Sequence, residues 1–129
     1  MSWLSRFLSS SIGLKVVMAI SGLVLFGFTV AHMAGNLQVF LGADAYNHYA
    51  ESLQGNKPLL WTARLTLLGM VSAHIASAVT LALRSKAARP VGYSQRSFLS
   101  GSYAVHTMKF GGFVLLAFIV YHLLHFTVG

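Results

Sequence analysis

The sequence predicts an all-α membrane protein with three transmembrane helices. Three long apolar segments fill most of the 129 residues, of which 56% are hydrophobic and only 9% are charged. A soluble domain carries about 25% charged residues, whereas a helix needs roughly 20 apolar residues to cross about 30 Å of hydrocarbon. Each apolar segment also contains a histidine deep inside it. An ionisable ring at membrane depth is costly unless a partner satisfies it, so these histidines indicate a functional site.

The predicted spans cover about residues 16–40, 59–83 and 105–129, and together they form one domain, residues 1–129. The basic start before the first span is typical of a signal peptide, but the apolar run is too long and lacks a small-residue cleavage site. We therefore interpret this run as a retained span. The third span is still apolar at the last residue, so we expect the sequence to be truncated at its C-terminus.

The first loop contains the segment AYNHYAESL, which predicts a short interfacial helix because tyrosine suits the headgroup region. This loop also holds both acidic residues, Asp44 and Glu51. The basic residues concentrate instead at the N-terminus and in the second loop, where they are Arg84, Lys86, Arg89 and Arg96. The positive-inside rule therefore places the N-terminus and the second loop in the cytoplasm.

The overall charge is +7, from 9 Lys and Arg against 2 Asp and Glu. Because the basic residues lie in short loops beside apolar spans, topology and contacts with lipid or protein explain them better than nucleic acid does. The chain has no cysteine, which excludes disulfides, thiolate-held iron–sulfur clusters and covalently attached haem. A haem, the commonest metal centre in such a setting, would be held by His or Met.

The histidines of the three spans differ in depth. Counted at about 1.5 Å per residue from the nearest basic residue at the inner end of each span, His32 lies at about 25 Å, His122 at about 20 Å and His74 at about 15 Å. His32 and His122 are therefore predicted to share one haem iron near the outer side. His74 lies closer to the inner side, where this chain supplies no second ligand.

Other interpretations of these histidines remain open. A single intramembrane histidine is as often a structural hydrogen-bonding group or a proton relay as a metal ligand. His125 lies three residues after His122 and so shares roughly the same helix face. It is an alternative ligand, or it lies near the outer interface. His48 and His106 are predicted to be interfacial.

Glycines accompany the histidines. Gly22 and Gly112 lie ten residues before the first and third of them, and Gly69 lies five before the second. A porphyrin that lies along a helix needs a face without side chains, which glycine provides, although glycine also mediates ordinary helix packing in membranes. Arg64, about one turn into the second span, is a candidate partner for a haem propionate. Alternatively, it extends to the lipid headgroups.

Four segments in this order resemble the cytochrome b subunit of succinate:quinone oxidoreductases of the b558 type. They read SSIGLKVVMAISGLVLFGFTVAHMAGNLQVFLG, AYNHYAESL, RLTLLGMVSAHIASAVTLALRSKAARP and HTMKFGGFVLLAFIVYHLLHFTVG. The resemblance implies a five-helix bundle with two haem b groups, each held by two histidines from the first four spans. It implies that His32 and His122 hold the outer haem and that His74 holds the inner haem. The fourth and fifth spans, with the fourth ligand and part of the quinone site, are absent from this sequence.

The family also implies a function. A flavoprotein subunit oxidises succinate, an iron–sulfur subunit carries the electrons, and the membrane subunit passes them to quinone. This chain has neither a dinucleotide fingerprint nor cysteine clusters, so it is expected to anchor those two subunits and transfer electrons, without catalysing succinate oxidation alone. The expected location is the bacterial inner membrane, with lipid and quinone as further partners. The alternatives are a cytochrome b of a hydrogenase or formate dehydrogenase, and a non-haem anchor with proton-relay histidines.

Overall fold

The computed structural model describes residues 2–92 and 103–129, and the regular elements within these ranges are all helical. The helices are α1 (Trp3–Ser9), α2 (Ser11–Asn36), α3 (Ala43–Gly55), α4 (Lys57–Ala87) and α5 (Tyr103–Leu123), with a 3₁₀ helix (Leu37–Leu41) after α2 and a π-helical turn (Leu124–Val128) after α5.

Three of the described helical segments are long and apolar enough to cross a membrane: Ser11–Leu41, Lys57–Ala87 and Thr107–Val128. The predicted all-α fold with three spanning helices is therefore confirmed, and it is compatible with a multi-pass membrane protein. The five-helix bundle stays a prediction. The chain divides into two compact units, Met1–Pro90 and Val91–Gly129, and each is described by itself.

A tight elbow separates α1 from α2, and the sequence analysis did not foresee it. Ser10 has an extended backbone (φ −73°, ψ 157°) that ends α1. Its hydroxyl donates to the Phe7 carbonyl at 2.6 Å and accepts from the Gly13 N–H at 2.9 Å, so one side chain serves both helix ends. A Cβ at Gly13 would overlap the Phe7 carbonyl. The elbow therefore requires glycine at this position.

Helices α2 and α4 form an antiparallel hairpin. At one end, Arg84 donates from Nη2 to the Ser9 carbonyl at 2.8 Å and from Nη1 to the Ser11 hydroxyl at 3.3 Å. Ten residues from this end on both helices, at Ser21 in α2 and His74 in α4, the Ser21 hydroxyl lies 3.0 Å from Nδ1 of His74. The equal spacing on both helices shows that they pair in a constant register.

Small residues form the contact between these two helices. Ser21 and Ser77 are 2% and 3% exposed. Among the described residues no apolar side chain is fully buried. Small side chains let helices approach closely where the surrounding lipid is as apolar as leucine. The large apolar residues of α2 and α4 consequently point outward, as they do in a lipid-facing helix pair.

The predicted helix of the first loop is present as α3. It starts after Gly42, whose φ of 107° lies in the left-handed region that favours glycine. Tyr46 donates to Oδ1 of Asn36 at 2.9 Å, and a Cβ at Gly35 would overlap the ring of Tyr49. These contacts fold α3 back onto the end of α2.

Helix α4 extends beyond the predicted span at both ends. Asn56 caps it by accepting from the Leu59 N–H at 3.2 Å. Pro58 lies in the first turn, where its missing N–H costs nothing. Arg84 and Lys86 lie in the last turn, where positive charge interacts favourably with the helix dipole. Of the predicted second loop, Arg96 lies outside the described residues.

Candidate functional site

His74, in the middle of α4, contacts the small-residue face of α2. Its Nδ1 lies 3.0 Å from the hydroxyl of Ser21. The next residue, Gly22, is so close that an added Cβ would lie 3.2 Å from Cε1 of the ring. The imidazole is thus held against α2 by one hydrogen bond, at a place where the missing side chain of Gly22 makes room for the ring.

Ser21 also contacts the backbone of its own helix. Its Oγ lies 2.6 Å from the Val17 carbonyl oxygen and 3.2 Å from that of Met18. A serine hydroxyl bonded to the carbonyl four residues earlier is a common arrangement in apolar helices, since it satisfies a polar group that has no water. The serine thereby links the backbone of α2 to the ring of His74.

His32 lies near the end of α2, close to α3. Its ring stacks on Phe28, with 5.1 Å between the ring centroids and 19° between the planes. Its carbonyl accepts from Nδ2 of Asn36 at 2.7 Å, and Oδ1 of Asn36 accepts in turn from Tyr46. The turn that carries His32 is therefore tied to the helix of the first loop.

The hairpin register places Arg64 near the level of His32. His32 is eleven residues after Ser21 on α2, and Ala63 is eleven residues before His74 on the antiparallel α4. Arg64 follows directly, and its guanidinium lies 5.2 Å from the centroid of the Trp61 ring, within range of a cation–π interaction. The backbone of Arg64 therefore lies near the level of His32 in the hairpin.

His122 and His125 lie in the second unit, within a run of aromatic side chains. His122 stacks on Phe118, with centroids 5.3 Å apart, and its ring centroid is 4.9 Å from that of Phe126. His125 lies 5.8 Å from Tyr121 and 4.4 Å from the same Phe126. The π-helical turn begins two residues after His122. Such turns occur often at functional sites, yet the choice between the two histidines stays a prediction.

The predicted glycines differ in their surroundings. Gly22 faces His74, so its missing side chain makes room for the imidazole. A Cβ at Gly69 or Gly112 would meet nothing within 4 Å, so each leaves an open strip on its helix. The role of all three against a porphyrin stays a prediction.

The structure places the histidines on the predicted helices but does not bring a complete ligand set together. Among the residues whose side chains the structure describes, which do not include His106, no three His, Asp or Glu side chains form a group that would hold a metal ion. His32 and His74 lie in one unit and His122 in the other. The pairing of His32 with His122 therefore stays a prediction.

Sequence reasoning missed three residues that contact this region: Ser21, Asn36 and Tyr46. Ser21 and Asn36 had a recognisable signal, since each is a polar residue next to a glycine inside an apolar segment, and Tyr46 was expected only to lie at the interface. Comparisons with protein-family models, curated proteins and solved structures returned no match to this chain.

Proposed function

We propose that this chain is the haem b membrane-anchor subunit of a succinate:quinone oxidoreductase, passing electrons between the iron–sulfur subunit and membrane quinone. Three facts support the proposal: the order of the four motifs, at least one histidine in each spanning helix, and the arrangement around His74. The last of these carries most weight. An imidazole inside an apolar hairpin, with one nitrogen bonded to a buried serine, has the second-shell partner that metal-ligating histidines almost always have.

The residues present fit a haem. The Nδ1 of His74 is bonded to Ser21, which leaves Nε2 as the nitrogen for iron. His32 and His122 each stack on a phenylalanine one turn earlier in its helix, and such packing restricts the orientation of the imidazole. When bound, haem supplies reversible one-electron transfer at a potential set by its ligands and surroundings.

In this proposal the residues of the chain bind, orient and exclude water. His32 and His122 would hold the outer haem, and His74 would hold the inner one together with a histidine from outside this sequence. Arg64, at the depth of His32, supplies positive charge for a propionate carboxylate. Glycines Gly69 and Gly112 leave helix surface open to a flat ring.

The proposed orientation places the N-terminus and the end of α4 in the cytoplasm of a bacterium. The flavoprotein and iron–sulfur subunits then dock on the cytoplasmic side, beside Lys86 and Arg89. Arg84 contributes less to docking than its charge indicates, because its guanidinium already bonds to Ser9 and Ser11. Anionic lipid is the competing partner for these basic residues.

The first test is spectroscopic. The purified protein should show the reduced-minus-oxidised absorption and the low-spin electron paramagnetic resonance of bis-histidine haem b. His122→Ala should remove the outer-haem signal, and His125→Ala, its matched control three residues away, should retain it. The reverse result would show that the ligand is His125. Absence of haem would overturn the proposal in favour of a non-haem anchor.

The second test uses the assembled complex and separates this family from other cytochromes b. Succinate-dependent quinone reduction should fall sharply in His74→Ala. Succinate oxidation with a soluble dye, which needs only the hydrophilic subunits, should persist. Co-purification with a hydrogenase or formate dehydrogenase instead would assign the chain to the alternative class.

A further inference from the structure

We propose that Ser21 is the positioning residue of His74. Its hydroxyl holds the imidazole as the Nδ1–H tautomer and so presents Nε2 as the ligating nitrogen. The identity of the metal that Nε2 binds, iron, rests on the proposed function. The assignment of the tautomer rests on the hydrogen bonds alone.

The tautomer follows from the position of one proton. The Ser21 hydroxyl has a single hydrogen and three neighbours: two backbone carbonyl oxygens and Nδ1 of His74. The oxygen-to-oxygen distance to the Val17 carbonyl is 2.6 Å, which is short for an O–H···O hydrogen bond. Two oxygens this close repel each other unless the hydrogen lies between them. Ser21 therefore donates to its own helix.

With that proton committed, the contact between Ser21 and His74 has one possible direction. The serine oxygen accepts, and Nδ1 of the ring must carry the hydrogen that it donates across 3.0 Å. A neutral imidazole has one N–H, so Nε2 is unprotonated and has a lone pair to bind metal. The opposite tautomer would leave two acceptors facing each other at one of these contacts, because the single hydroxyl hydrogen of Ser21 cannot serve both the Val17 carbonyl and Nδ1.

Burial makes this selection effective. Ser21 is 2% exposed, and the contact lies inside a spanning hairpin, where no water replaces a lost partner. Gly22, the next residue of α2, leaves room for the ring beside this bond, because a Cβ there would lie 3.2 Å from Cε1 of His74. An acceptor on Nδ1–H also raises the donor strength of Nε2, and loss of such second-shell partners typically lowers metal affinity by about 10–100-fold.

The first experiment measures the tautomer directly in the haem-free protein. Histidine is labelled with ¹⁵N, the His74 signal is identified by its loss in His74→Gln, and the protonated nitrogen is read from the ¹⁵N shifts. We expect Nδ1–H in the wild type, a shift of the population toward Nε2–H in Ser21→Ala, and recovery in Ser21→Thr, which restores the hydroxyl.

Ser77→Ala is the matched control. Ser77 is 3% exposed and belongs to the same hairpin, and its removal takes away a buried hydroxyl without touching the Ser21–His74 bond. Its tautomer should match the wild type. An Nε2–H signal in the wild type, or an unchanged signal in Ser21→Ala, would overturn the proposal.

The second experiment uses the haem-loaded protein. Ser21→Ala should weaken retention of the inner haem by about tenfold or more and raise its midpoint potential, because the ligand becomes a weaker donor to the ferric iron. Equal losses in Ser21→Ala and Ser77→Ala would indicate general damage to the hairpin and overturn the positioning role. If no variant binds haem, the function proposed above fails, while the ¹⁵N measurement still decides the tautomer.

Discussion

Replacing Gly22 with alanine should move the ring of His74 without unfolding the helix hairpin. The added Cβ would lie 3.2 Å from Cε1 and 3.7 Å from Nδ1 of His74. The first distance is tighter than nearly all Cβ contacts in proteins, so the ring must retreat by a few tenths of an ångström. Serine and glycine are adjacent on α2, and a retreat from Gly22 also stretches the bond to Ser21.

The magnitude follows from that bond. It measures 3.0 Å, and N–H···O bonds extend to about 3.2 Å before they weaken steeply. A retreat of a few tenths of an ångström uses up this margin. Losing the bond costs about 0.5–1.5 kcal/mol, whereas alanine gains about 0.5–1 kcal/mol over glycine inside a helix. The two effects nearly cancel in the free energy of unfolding, so stability should change by less than about 1 kcal/mol.

Gly27→Ala is the matched control, since nothing lies within 4 Å of a Cβ at that position of the same helix. It should stabilise the protein by about 0.5–1 kcal/mol and leave His74 unchanged. Stability is measured by titration with a denaturing detergent, and the ring by its ¹⁵N and ¹³C shifts. Equal stabilisation by both substitutions, with the His74 signals unmoved in both, would refute the reasoning.

Three further predictions concern the ends of the hairpin. Arg84→Gln should lower the free energy of unfolding by about 1 kcal/mol or less in detergent denaturation. The loss is small because the side chain is exposed and its shorter hydrogen bond only caps the end of the short helix α1. A larger loss would show that the elbow folds only with this contact. Tyr46→Phe removes the donor to Asn36 and should speed amide hydrogen exchange in α3 while leaving α4 unchanged; uniform exchange would contradict it. In Lys86→Cys, the new thiol should react with a membrane-impermeant reagent only from the cytoplasmic side. In Ser52→Cys, it should react only from the outer side. The opposite labelling would reverse the proposed topology.

The spanning helices were predictable because their signal is a sum over many residues. A run of some 20 apolar side chains has few other stable solutions, so the sequence placed all three and also the amphipathic helix AYNHYAESL. The elbow at Ser10 was missed because a single serine decides it. Its hydroxyl ends one helix and starts the next, and the run of three serines at residues 9–11 does not by itself show which of them makes the break.

The candidate site was predictable only in part. The histidines stand out because their cost in hydrocarbon is large. Ser21, the partner of His74, does not stand out in the sequence. The two residues are 53 positions apart and meet only through the register of the hairpin. The level that Arg64 shares with His32 was not predictable either, because it also depends on the register of the hairpin. Depth along each helix can be counted from sequence, whereas the direction in which a side chain faces depends on how two helices pair.

The two cross-links of the hairpin also restrict how it can move. Arg84 with Ser9 and Ser11, and His74 with Ser21, join α4 to the N-terminal half of the molecule at two heights, ten residues apart. A ratchet of one helical turn, about 5.4 Å, would break both at once and leave Nδ1 of His74 without its partner inside the hairpin. Piston-like sliding of one helix past the other is therefore disfavoured. Any movement of this pair would therefore be a tilt of the two helices together.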